Sequence, residues 1–166
     1  AITITIEVNV SMGQGYSIVG LLDSAVRESL QRTESAIKTN GLHMPRTKVV
    51  VNLAPADIRK TGSALDLPIA LAVLGASEQL AHPERLSEYI IMGELGLDGT
   101  VQPIKGALPI AIQARKEGFK GLILPKVNAN EAAIVNDLEV YGMDSLLDVI
   151  NFFTGLTLKL YKWFFS

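Results

Sequence analysis

The 166-residue chain carries fifteen Lys and Arg against seventeen Asp and Glu, a formal net charge of −2, with 48% apolar residues and no cysteine. That length and balance suit a domain with a sizeable core. They exclude disulfides, thiolate nucleophiles and sulfur-ligated metals, and leave any nucleic-acid binding to a local basic patch.

The chain opens in "ITITIEVNV", whose alternating β-branched pattern predicts a half-buried strand already under way. The sequence is therefore expected to start inside its natural domain. Gly13 and Gly15 predict a turn, followed by a short strand through Val19. Asp23 reads as the N-cap of a helix over 24–39. Leu22, Val26, Leu30, Thr33 and Ile37 form its apolar stripe, leaving Arg27, Glu28, Arg32 and Lys38 to solvent. Asn40-Gly41 stops that helix. "KVVVNLA" reads as a central strand, "PADIRKTGS" as a loop, and 64–76 as a helix buried on most sides.

"EYIIMGEL" predicts a further strand, "GLDGTV" a turn with Asp98-Gly99 at its tip, and "VQPI" the returning arm. A helix from Gly106 to about Lys116 follows, then the buried strand "GLILP" and a short helix in "NANEAAIV". The strand "LEVYGM" and the helix "SLLDVINFF" complete the domain. Strands alternating with helices, interrupted by one hairpin, predict an α+β (mixed α/β) fold built on a mixed sheet. The repeated "LPIA" at 67–70 and 108–111 reflects two helices with proline in the first turn, not a duplication. Residues 1–154 are expected to form the domain. In the tail 155–166, "LTLKLYKWFFS" alternates and then turns aromatic. It reads as an edge strand or a segment foreign to the domain, with a detached interface segment as the alternative.

Several chemistries find no motif. There is no GxxxxGK[ST] phosphate loop, Gly13, Gly15 and Gly20 miss the dinucleotide spacing, and His43 and His82 stand apart from any carboxylate–histidine cluster. No apolar run of membrane-spanning length and no leader occur, so a cytoplasmic location is expected. One catalytic option stands open: Ser63, on a turn before an apolar helix, as a nucleophile with a lysine base kept neutral by burial.

The stretches "VNLAPAD", "GSALDLPIA", "IMGELGLDG" and "PIKGALPIA" carry a resemblance. The chain resembles the N-terminal domain of the magnesium-chelatase-subunit-like AAA+ proteins, the YifB/ComM family. That domain is similar to the proteolytic domain of Lon and to the C-terminal domain of RadA. The resemblance implies a Lon-protease-like, ribosomal-protein-S5-domain-2-like fold. The Lon-like pattern reads here as Gly93-Glu94, Gly99, Val101, Pro103-Ile104 and Gly106. Carried over residue by residue, it puts Leu108 at the catalytic-lysine position and Ala64 at the nucleophile position. A one-residue slip would restore Ser63.

Leucine has no lone pair with which to take a proton. Lys105 and Lys60 are the nearest substitutes, and either would have to be desolvated. The resemblance therefore implies a domain without catalysis, in which Ser63 is a turn or cap residue. An active Ser63 peptidase assisted by Lys105, and an accessory subunit of magnesium chelatase, are the alternatives. No metal and no cofactor are expected in the chain itself. A downstream AAA+ module using ATP and Mg, a homo-oligomeric ring and single-stranded DNA are the implied partners, with no membrane. Arg46, Lys48, Arg59, Lys60 and Lys105 are the candidate DNA contacts. The first two flank the start of the central strand, the next two follow its end, and Lys105 stands at a helix N-terminus suited to phosphate.

Overall fold

A computed structural model describes residues 3–20, 23–54 and 63–155. Strands β1 (Thr5–Ser11) and β2 (Tyr16–Val19) precede helix α1 (Asp23–Thr39) and strand β3 (Lys48–Ala54). β3 is the centre of a three-stranded sheet, antiparallel to β1 and parallel to β2. Its Val49, Val51 and Leu53 point inward and are buried, as the β-branched run predicts. α1 ends as expected at Asn40-Gly41, Gly41 taking a left-handed φ of 79°. Its first helical residue is Asp23 itself, one position before the expected start.

The chain then enters α2 (Asp66–Ala76) through a 3-10 turn, Ser63–Leu65, so the helix expected from 64 is α-helical only from 66. Its Leu67, Ile69, Ala70, Leu71, Val73 and Leu74 are all buried, and it packs on α1 and on β1. Pro68 and Pro109 each occupy the third position of their helix, where the missing N–H leaves no intrahelical bond unmade.

The strand expected over "EYIIMGEL" is broken in two. β4 (Tyr89–Ile91) pairs parallel with β7 (Gly121–Pro125), whereas β5 (Glu94–Leu95) leaves that sheet to form a ribbon with β6 (Val101–Gln102). The cause is Gly93. Its amide donates to Ala64 O at 2.9 Å and its carbonyl accepts from Leu67 N at 3.0 Å, so its backbone serves the start of α2 instead of a strand neighbour. The mixed sheet and the hairpin of the sequence reading are both present, as β1-β3-β2 and the β5–β6 ribbon, beside a separate three-stranded parallel sheet.

β7 has every residue buried, which fits the centre of the parallel order β4-β7-β8, with β8 spanning Glu139–Met143. Its alternation divides two cores. Ile123 faces the main core with α2 and α5 (Leu146–Phe153). Leu122 and Leu124 face a second one formed by α3 (Ala107–Lys116) and the short α4 (Ala129–Ala132). The helix expected through "NANEAAIV" is confined to that single turn after a 3-10 segment, Lys126–Asn128. Ser145 caps α5 by accepting from Asp148 N at 3.1 Å. Helices packed on small sheets give the α+β class that the sequence predicts. The tail 156–166 lies outside the described residues.

Candidate functional site

The start of α2 sits where β5 and α1 converge. Asp66, in its first turn, is fully buried. A lone carboxylate there would be costly, so its oxygens are saturated with donors. Arg32 holds it with two bonds, Nε to Oδ2 at 2.5 Å and Nη2 to Oδ1 at 3.1 Å. Ser29 Oγ donates to Oδ1 at 2.9 Å and the Leu95 amide to Oδ2 at 3.2 Å. Burial pushes the Asp66 carboxyl above the usual carboxylate range, while these donors draw it back. In return, the hydrogen bonding that Arg32 donates to Asp66 holds its guanidinium above the usual value, with Glu94 and Glu28 adding smaller charge contributions.

This corrects the reading of Arg32 as a solvated residue. Its side chain is 21% exposed and is the main cation of a buried network. Ser29, one turn earlier on α1, is buried beside it. The sequence held a sign of this: an aspartate inside an otherwise apolar helix calls for a cation, and α1 offers one next to its apolar stripe.

Ser63 Oγ donates to Glu94 Oε2 at 2.7 Å. That contact ties the turn before α2 to β5. Of the turn or cap role expected for Ser63, the structure shows the turn: it opens the 3-10 segment before α2, while the residue at the N-cap is Leu65, without a side-chain cap. Ala25, Glu28, Arg32, Ser63 and Glu94 line a cleft of about 240 Å³. Among the described residues the cleft holds one hydroxyl, two carboxylates and one guanidinium. A hydroxyl already donating to a carboxylate is oriented, but a carboxylate is a far weaker base than a neutral amine. Ala64, at the Lon-like nucleophile position, uses its carbonyl to accept from Gly93 N.

Lys105 is exposed on the loop between β6 and α3. Gly106 behind it adopts φ 77° before α3, and Asn128 fixes Ile104 through both its amide and its carbonyl at 3.0 Å. Leu108, at the lysine position, is half-buried against the second core. The structure thus joins Ser63 to Glu94, while Lys105 belongs to the loop leading into α3.

Arg46 and Lys48 are exposed at the start of β3, and Lys38 at the end of α1 is close enough to feel the charge of Arg46. Arg59 and Lys60 lie outside the described residues. No group of three or more His, Cys, Asp or Glu able to hold a metal occurs among the described residues. No helix among them is long and apolar enough to cross a membrane.

Fold and site define an α+β domain whose helix start is locked by a buried arginine–aspartate pair. The family model described as subunit ChlI of Mg-chelatase matches residues 6–128, and the chain belongs to this family. Competence protein ComM of Haemophilus influenzae is 40% identical over 153 residues, which cover 92% of this chain and 30% of that protein. The uncharacterized protein YifB of Escherichia coli is 42% identical over the same shares. The chain therefore spans about 30% of the length of these relatives. DNA repair protein RadA of Escherichia coli is 28% identical over 116 residues, 70% of this chain and 24% of that protein.

Proposed function

We propose that this chain is a catalytically inert, Lon-like N-terminal domain of a ComM-type protein, serving ring assembly and the handling of DNA. The observation that carries it is the state of the would-be dyad. The Ser63 hydroxyl donates to Glu94, and the position of the proton acceptor is held by Leu108 in an apolar cluster. A serine whose proton is directed at a carboxylate gains orientation, and among the described lining residues no lysine stands beside it as a strong base. The Asp66–Arg32 network beside it then acts as a brace between α1, α2 and β5.

In this reading a downstream AAA+ module binds ATP and Mg and forms the homo-oligomeric ring, while the domain itself needs neither. The names of two relatives, a competence protein and a DNA repair protein, support DNA as the material handled. Exposed Arg46, Lys48 and Lys105, together with Arg59 and Lys60, are the proposed contacts with single-stranded DNA. The proposed location is the cytoplasm.

The test is hydrolysis of an unfolded protein substrate by the chain and by its Ser63→Ala variant. Equal background rates are expected. Cleavage that Ser63→Ala abolishes would make the domain a working serine peptidase.

A further inference from the structure

A groove of about 700 Å³ runs between the two three-stranded sheets. One wall is the inward face of the first strand, Ile4, Ile6 and Val8; the other includes Tyr89 and Ile91 of β4, with α2 between them. Both walls are sheet edges: among the described residues β1 pairs with β3 alone, and β4 with β7 alone. A slot bounded by two strand edges and lined with alternating apolar side chains has the shape and the backbone donors and acceptors to take in an extended strand.

We propose that this groove is a strand-acceptor site and that its occupant is the chain's own segment 156–166, "LTLKLYKWFFS". Three observations favour that occupant. Helix α5 ends behind the groove wall: Phe152 and Phe153 stack edge-on at 5.4 and 5.8 Å against Tyr89, which lines the groove, and Arg85 lies over both rings. The segment that follows therefore starts beside the groove wall. Extended, it spans roughly 36 Å at about 3.3 Å per residue, more than the roughly 20 Å that Thr3–Val8 requires. Its pattern also matches, with Leu156, Leu158 and Leu160 on one side and Thr157, Lys159 and Tyr161 on the other. Charge agrees as well. Glu84 is the one charged residue among the described lining residues, and the segment carries Lys159 and Lys162 with no acid.

Trp163 is the chain's one tryptophan and lies within the segment, so its fluorescence in the full chain reports occupancy directly. Acrylamide quenching is compared between the wild type, the wall variant Ala72→Glu and the segment variant Leu158→Asp/Leu160→Asp. The last leaves the described core untouched. Since a pocket covers 70–90% of what it binds, Trp163 in the wild type should be at least about threefold less quenchable than in either variant. That protection should not change on dilution. Equal quenching in all three proteins would overturn the proposal. So would protection lost on dilution, which would place the segment on a second copy. If Ala72→Glu fails to fold, the segment variant decides alone.

Discussion

An aspartate surrounded by apolar side chains must find a cation or keep its proton, and Asp66 sits between these outcomes. Two Arg32 bonds, Ser29 and the Leu95 amide favour its charged form; complete burial opposes it and prevails, raising its pKa. The sign of the pH effect follows. With rising pH the unfolded chain releases this proton first, near pH ~4, so the folded state loses stability until the native carboxyl ionises too. Asp66→Asn has no such proton. The stability of the wild type minus that of Asp66→Asn, from denaturant unfolding at several pH values, should therefore fall as pH rises above about 4. A difference that grows instead would mean that Arg32 outweighs burial and lowers the pKa. Asp66 was accessible to reasoning from sequence, because an acid within "SALDLPIALAVL" is out of place in a helix buried on most sides. Its partner was not. Helical spacing set Arg32 outside the apolar stripe, and spacing cannot tell a solvated flank from one covered by a neighbouring helix.

The elements themselves were largely legible. The β-branched run of β3, the continuous apolar run of β7 and the stop at Asn40-Gly41 all lie where the pattern put them. What failed was the strand through "EYIIMGEL". Tyr89, Ile90 and Ile91 have strong strand propensity, and the break comes at Gly93, whose tertiary bonds to Ala64 and Leu67 take its backbone out of the sheet. A Cβ at Gly93 would stand 2.7 Å from Val101 Cγ1 and 3.3 Å from Leu67 Cδ2. Gly93→Ala should therefore destabilise the domain by about 1–3 kcal/mol through overpacking. Thermal unfolding measures that loss, and an unchanged midpoint would show that β6 and α2 can part without cost. The same clash would push Glu94 away from Ser63, so the site depends on this close approach.

At the scale of the whole molecule, the described charges nominated for DNA, Arg46, Lys48 and Lys105, stand at different elements. Arg46 and Lys48 stand at one end of β3, the nominated loop residues Arg59 and Lys60 follow its other end in sequence, and Lys105 precedes α3. A seven-residue strand puts its ends roughly 20 Å apart. Contact through the loop pair is tested by its own charge reversal. Single-stranded DNA binding, titrated with salt, is expected to be weaker in Arg59→Glu/Lys60→Glu, with a log–log slope lower by about 0.7 per phosphate contact removed. Equal, negligible binding by both proteins would leave ring assembly as the domain's role. The number and position of such basic residues could be read from sequence, but their grouping on one face could not, since that depends on how loops far apart in the chain are brought together.

The most direct measurement is reaction of the folded chain with a serine-directed fluorophosphonate, followed by mass spectrometry of the peptide that contains Ser63. With its hydroxyl given to Glu94 and Leu108 at the place of a base, Ser63 should remain unmodified under conditions that label an active serine hydrolase completely. Stoichiometric labelling of Ser63 that is lost on unfolding would contradict the account.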